Sequence, residues 1–230
     1  MDPRVVQFVG ELTLTFAALF PVVNPIGDAP IFLGLTRRYP QSVQRMLARK
    51  IAAYGFALLA GSLLFGSEIL NFFGVTLAIV QIAGGLVLAN TGWHLLNQSD
   101  AAPAGTQAPA TLEDAMSHAF YPLTLPITVG PGCITIAVAI GAHLRQQPGF
   151  GFDHGVPLRF VAALVGMALV CLLVVVCYGN AEWLARTLGR SGTVILVRLS
   201  AFILLAIGVQ IAWDGLSTNL LELLSRAPVH

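Results

Sequence analysis

The sequence predicts an all-α, polytopic membrane protein with six transmembrane helices, and three observations support this fold class. Of the 230 residues, 56% are hydrophobic and only 10% are charged, with a mean hydropathy of +0.80. A soluble domain has about a quarter of its residues charged, and this chain has too few polar residues to cover a soluble core. Six apolar stretches are long enough to cross a bilayer, which takes about 20 residues in a helix. Backbone groups in lipid must be bonded internally, so we expect helices.

The predicted spans are bounded by polar or glycine-containing links. In chain order they cover 8–36, 51–73, 75–96, 115–144, 158–178 and 193–216. The first is interrupted at Asn24-Pro25 and the fourth at Gly130-Pro131. The net charge of +1 gives no indication of a nucleic-acid partner. The three cysteines lie within apolar spans without metal-ligand spacing, so we expect no metal or cofactor.

Basic residues predict the orientation of the spans. Seven of the twelve lie in the links after the first and fifth spans, which share one side of a six-span protein, whereas four lie on the other side. The positive-inside rule then puts both termini on the outer side of the cytoplasmic (inner) membrane.

The chain is predicted to consist of two similar halves. A flexible linker rich in Ala, Pro, Gly and Ser, 97–112, separates a first three-helix repeat, 1–96, from a second, 113–230. Because each half has three spans, the second is inverted relative to the first. Both halves have a proline break in their first span, and their third spans align when Gln81 is matched with Arg198. Inverted repeats with broken helices in matching positions are typical of secondary transporters.

A broken helix in the membrane offers two kinds of binding group. The half-helix after the break presents free N–H groups and a positive dipole end, which suit a carboxylate. The half-helix before it ends in free carbonyls, which suit an ammonium group or a cation. Two facing breaks would therefore match a zwitterion. The alternative is that the prolines only kink the helices for packing.

Two segments resemble a known family. Segment 20–36, FPVVNPIGDAPIFLGLT, resembles the first-span signature of the MarC family, also called the small neutral amino acid transporter (SnatA-like) family. Segment 122–135, PLTLPITVGPGCIT, resembles its fourth-span signature. The resemblance covers nearly the whole chain and implies transport of glycine, alanine, serine or threonine. Asp28, where the family usually has a small or apolar residue, and Gln81, often arginine, depart from the pattern.

The candidate site residues follow from the breaks and from the polar residues inside the spans. Those predicted to bind substrate are Asn24, Pro25, Gly27, Asp28, Thr128, Gly130, Pro131, Gly132 and Thr135. Those predicted to act in coupling or gating are Asp28, Gln81 and Arg198. Structural alternatives remain for each kind of residue. Asp28 could cap a helix or pair with Arg198, Gln81 could bond to another helix, and the threonines could bond to their own helix.

The sequence thus predicts a secondary transporter of small neutral amino acids, coupled to H⁺ or Na⁺ and working by alternating access. Its partners would be the substrate and the bilayer, with a homo-oligomer left open. A passive channel for a small neutral solute is the main alternative, and a scaffold is another. The chain has no HExxH, GxSxG or GxGD pattern, so we do not expect an enzyme.

Overall fold

The structure, a computed structural model, describes residues 2–97, 112–146 and 158–226, which are helical almost throughout and contain no strand. This confirms the all-α fold class. The helices are α1 Pro3–Val23, α2 Pro25–Thr36, α3 Gln41–Phe72, α4 Leu77–Asn97, α5 Leu112–His118, α6 Pro131–Gln146, α7 Leu158–Gly179 and α8 Ala181–Arg226. Nearly all of the predicted linker, 97–112, lies outside the described residues.

The number of spans agrees with the prediction. Five helices of the described chain are long and apolar enough to cross a membrane, and a bent pair of helices makes a sixth. The first span, Pro3–Thr36, is α1 followed directly by α2. The bent pair joins Leu112–Thr128 to Pro131–Arg145 at an angle of 71°. Both predicted breaks therefore occur, but only the second bends its span sharply.

Most helices extend beyond the apolar stretches that predicted them. Helix α1 begins at Pro3, where Asp2 accepts a hydrogen bond from the Arg4 N–H at 2.9 Å. Helix α3 begins at Gln41, ten residues before the predicted Ile51. Apolar stretches mark the part of a helix inside the hydrocarbon, whereas the helix itself continues through polar residues until its backbone is capped or broken.

The stretch before the second break is not a regular helix, contrary to the expectation of a continuous helix from residue 115 to the break. Between α5 and α6, Tyr121 and Leu125 have extended backbone conformations (φ −123° and −112°). Each precedes a proline, Pro122 or Pro126, whose ring disfavours the helical conformation of the preceding residue. We call Ala119–Thr128 the irregular segment.

Small residues bring α4 and α8 into backbone contact. They recur every seven positions: Ala78, Gly85 and Gly92 on α4, and Ala201, Gly208 and Gly215 on α8. A Cβ on Gly85 would lie 2.6 Å from the Gly208 carbonyl oxygen, and one on Gly208 would lie 2.7 Å from that of Gly85. Glycine at this crossing allows an approach that a larger residue would prevent.

Helix α8 is a long helix with one interruption. Gly189 has φ 64° and ψ −179°, a conformation essentially restricted to glycine. The part after it, Ser191–Leu221, is the last candidate span along the chain.

The remaining contacts pack both broken spans against the other helices of the bundle. Helix α3 packs on α6, on α7 and on the irregular segment, α1 packs on α7, and α2 packs on α7 and α8. The core between them includes Phe32, Leu47, Leu59, Met167 and Tyr178, each fully or almost fully buried. Large apolar side chains on the outer surface, such as Phe65 and Phe202, are exposed, as expected for helices that face lipid.

Candidate functional site

The first break is formed by one left-handed residue. Asn24 has φ 48° and ψ 51°, and it is the only non-glycine residue with positive φ in the described chain. Asparagine tolerates this region better than most residues because its short side chain can bond locally. Its side-chain oxygen accepts from the Gly27 N–H at 3.2 Å and thereby caps α2. This oxygen of Asn24 is therefore occupied in capping the backbone.

Asp28 is buried in the first turn of α2. Its side chain is 9% exposed, and one hydrogen bond, from the Asn24 Nδ2 at 3.4 Å, reaches its Oδ1. No ion pair to Asp28 is present within the described residues. The predicted alternative of a pair with Arg198 is not observed, because Arg198 is exposed and has no ion pair in that part of the chain.

The second break lies between the irregular segment and α6. The Val129 N–H bonds to the Thr124 carbonyl, five residues back, at 2.8 Å, and α6 then begins at Pro131. The carbonyl of Gly130 accepts from the Cys133 and Ile134 N–H groups at 3.0 and 3.3 Å. The first turn of α6 contains no acidic residue, in contrast to α2, which has Asp28.

Side chains from three helices connect the two breaks. Asp28 of α2 and Cys133 of α6 are buried in the first turn after each break, and Tyr178 of α7 is buried too. The Tyr178 ring stacks on Phe32 of α2 with centroids 4.6 Å apart. The Tyr178 hydroxyl lies 3.0 Å from the Thr128 Oγ1, just before the second break. We call Asp28, Thr128, Cys133 and Tyr178 the break cluster.

The predicted site residues do not all lie in equivalent surroundings. Buried ones are Pro25, Gly27, Asp28, Thr128, Gly132 and Thr135, whereas Asn24 and Gly130 are half-buried and Pro131 is exposed. The hydroxyl of Thr135 donates to the Pro131 carbonyl at 3.0 Å, the own-helix bond given as the alternative for threonine. The structure therefore brings both breaks into one region and leaves the predicted binding role of each residue a prediction.

Gln81 and Arg198, which the sequence alignment matched, lie in different surroundings. A Cβ on Gly215 would lie 2.9 Å from the Gln81 Cβ, so Gln81 is part of the crossing of α4 and α8. Arg198 is exposed. At the crossing itself, Gly85 lies opposite Gly208. Gln81 and Arg198 are also not brought together at the breaks.

Sequence reasoning missed three residues next to the breaks. They are Tyr178, whose polar tip is buried at the end of an apolar span; Ser200, whose Oγ would lie 2.7 Å from a Cβ on Gly27; and Gly84, which packs against the Thr135 side chain. A tyrosine within the apolar fifth span was the only one of these signals visible in the sequence. The other two depend on which helices cross.

A polar cluster connects the two broken spans at one end. Asp114 of α5 pairs with Arg38 at 2.9 Å, accepts from the Tyr39 hydroxyl at 2.7 Å, and lies 3.5 Å from the His118 Nδ1. Arg38 also lies over the Tyr39 ring, 5.0 Å from its centroid. Gln44 donates to the Tyr39 carbonyl at 3.1 Å and so braces the same turn. Burial and the bond to Asp114 raise the pKa of Tyr39 above its ordinary value.

Replacing Asp114 with Asn is expected to loosen this end. The substitution removes the charge that attracts Arg38, so the backbone amides of residues 37–39 should exchange with deuterium severalfold faster, as measured by mass spectrometry. Glu113→Gln is the matched control because it removes an exposed negative charge one residue away. Equal exchange in both variants would contradict a specific role for Asp114.

Other charged pairs hold the broken spans to different neighbours. Arg145 of α6 binds Glu68 of α3 at 2.9 Å and also donates to the Leu64 carbonyl. Arg159 of α7 lies 4.0 Å from Glu11 of α1. No three His, Cys, Asp or Glu side chains are grouped for a metal ion anywhere in the described ranges.

The chain is similar to one protein family over most of its length. The model for the MarC family integral membrane protein matches residues 9–220. A UPF0056 membrane protein of Archaeoglobus fulgidus is 31% identical over 209 residues, 91% of this chain and 93% of the relative. One from Methanocaldococcus jannaschii is 31% identical over 90% of this chain and 97% of its own length. The UPF0056 inner membrane protein MarC of Citrobacter koseri is 29% identical over 88% and 92%, respectively. No solved structure matches the chain.

Proposed function

The chain belongs to the MarC family of integral membrane proteins, and on that premise we propose that it is a secondary transporter of small neutral amino acids. The substrate class comes from the predicted zwitterion match and from the resemblance stated for the two signatures. The protein would move glycine, alanine, serine or threonine across the cytoplasmic membrane by alternating access, with no enzymatic step.

The observation that carries this proposal is that the break cluster contains residues from two breaks that differ in charge. At the first, the N-terminus of α2 is already capped by Asn24 and bears the buried carboxylate of Asp28. A carboxylate in this position would attract the substrate ammonium group. At the second, the first turn of α6 has no acidic residue and presents the positive end of a helix dipole. That end would receive the substrate carboxylate.

Asp28 is also the proposed carrier of the coupling ion. A carboxylate buried within a span is costly and is commonly part of an ion or proton pathway. Asp28 accepts a single hydrogen bond, from Asn24, so its carboxylate oxygens can still bind H⁺, Na⁺ or the substrate ammonium group.

The pattern of helix contacts supports an inverted repeat. Helix α1 packs on α7, and its counterpart, the irregular segment, packs on α3. Likewise α2 packs on α8, and its counterpart α6 packs on α4. Exchanging the spans of one half for those of the other reproduces each of these four contacts. We propose that one such unit rocks against the other, with the basic 37–50 link on the cytoplasmic side and both termini outside.

Counterflow of labelled alanine, glycine, serine and threonine in proteoliposomes tests the function. We expect saturable uptake that depends on substrate inside the vesicle and increases with an imposed H⁺ or Na⁺ gradient. Empty liposomes and liposomes with heat-inactivated protein are the controls. Non-saturable flux without counterflow would identify a passive channel instead, and no flux of all four from correctly inserted protein would overturn the amino-acid proposal.

A further inference from the structure

We propose that Tyr178 is a positioning residue that holds the two broken spans in register at the break cluster. The inference deepens the proposed function, and its test with substrate rests on that function. It adds a residue that the two sequence motifs do not contain. It starts from the position of Tyr178 in the last turns of α7, where the side chain is 1% exposed.

One side chain reaches both spans. The ring of Tyr178 lies almost parallel to Phe32 of α2, with an interplanar angle of 17° and centroids 4.6 Å apart. Phe32 is itself fully buried, one helical turn after Asp28. The other end of Tyr178, its hydroxyl, is 3.0 Å from the Thr128 Oγ1. Helix α7 therefore contacts the half-helix after the first break and the residue just before the second.

The direction of the hydroxyl bond follows from the neighbouring bonds. Thr128 donates its only hydroxyl proton to the Leu123 carbonyl at 2.8 Å. The proton shared between the two side chains must therefore come from Tyr178, and Thr128 accepts it. The resulting chain runs from Tyr178 through Thr128 to Leu123, and hydrogen bonds in such a chain strengthen one another.

This chain of hydrogen bonds lies where the regular backbone hydrogen bonds of an α-helix are missing. The irregular segment lacks a continuous α-helical ladder, since Tyr121 and Leu125 are extended. Thr128 is thus held in place partly by a helix from outside its own span. A change in the position of the first break can be transmitted to the second through Phe32 and Tyr178. We infer that this contact sets the distance between the two groups proposed to bind the substrate, Asp28 for its ammonium group and the first turn of α6 for its carboxylate.

Two hydroxyl deletions and a matched control test the inference. Tyr178→Phe keeps the ring stack and removes the hydroxyl, and Thr128→Val removes its acceptor. Thr124→Val is the control, because Thr124 is also fully buried in the irregular segment and also donates five residues back, to Ala119 at 2.7 Å. Within the described residues it has no hydrogen bond to another helix.

Equilibrium binding of labelled alanine to the purified protein, with initial rates of uptake, gives the substrate readout. We expect Tyr178→Phe and Thr128→Val each to weaken binding about tenfold, the size expected for one buried hydrogen bond. The double variant should be no weaker than either single variant, and Thr124→Val should bind like the unmodified protein. Additive effects, or equal effects of Thr124→Val and Thr128→Val, would overturn the inference.

A measurement without substrate separates this inference from the proposed function. Deuterium exchange of the amides of Leu125 and of residues 127–130 should be faster in Tyr178→Phe than in the unmodified protein, whether or not alanine is transported. Unchanged exchange would refute the positioning role even if transport is demonstrated. Faster exchange in a protein that binds none of the four amino acids would support the positioning role and refute the proposed substrate.

Discussion

Replacing Asp28 with Asn is expected to abolish gradient-driven amino-acid uptake while the protein still folds. The two side chains have nearly the same shape, and the carbonyl oxygen of the new amide can accept the hydrogen bond that Asn24 donates to Asp28. What is lost is the capacity to carry a negative charge and to bind a proton. Removing one partner of a buried ion pair costs about 3 kcal/mol or more, so binding of a zwitterionic substrate should weaken about a hundredfold.

The measurement is uptake of labelled alanine into proteoliposomes across a range of external pH. Asp214→Asn is the matched control: Asp214 lies on the sixth span, is exposed, and accepts from Gln210 at 2.8 Å. It should retain normal uptake. Normal uptake by Asp28→Asn with unchanged pH dependence would remove Asp28 from both substrate binding and coupling.

Replacing Gly208 with Ala is expected to cause a large loss of stability for the addition of a single methyl group. The new Cβ would overlap the Ala89 backbone nitrogen and would lie 2.7 Å from the Gly85 carbonyl oxygen. Backbone atoms cannot rotate away as a flexible side chain can, so α4 and α8 must separate. Overpacking of this kind costs about 1–3 kcal/mol, and rigid contacts are expected at the upper end.

Thermal unfolding in detergent, followed by circular dichroism, gives the comparison. Gly61→Ala in α3 is the matched control because a Cβ there meets no atom within 4 Å. That variant should be as stable as the original or slightly more so, since alanine favours helix over glycine. A melting temperature of Gly208→Ala equal to that of Gly61→Ala would show that α4 and α8 do not cross as closely as described.

Parts of the candidate site could be predicted from sequence because their causes are local. Proline in a helix interior removes a backbone hydrogen bond and kinks or breaks the helix, so Asn24-Pro25 and Gly130-Pro131 indicated both breaks, although α1 and α2 continue through Pro21 and Pro30. A carboxylate in an apolar stretch is unusual enough to be noticed in the sequence alone, and Asp28 is indeed buried. The irregular segment was also predictable in principle, because Pro122 and Pro126 disfavour helix at the residues before them.

Other parts depended on contacts between distant residues. Tyr178 and Thr128 are 50 positions apart, and no local rule brings them to 3.0 Å. The same holds for Ser200 beside Gly27 and for Gly84 beside Thr135. Nor could the match of Gln81 with Arg198 show that Gln81 lies at the crossing of α4 and α8 whereas Arg198 is exposed.

The sequence by itself determined that the protein folds in a lipid bilayer, that its secondary structure is helical, and where the two membrane helices break. Those properties follow from hydropathy and from proline chemistry, which act over one span at a time. Only the tertiary structure decided which residues meet across the breaks, because the rotation and depth of each helix are set by packing against its neighbours. Close approach at Gly85 and Gly208, and the reach of Tyr178 to two spans, are consequences of that packing.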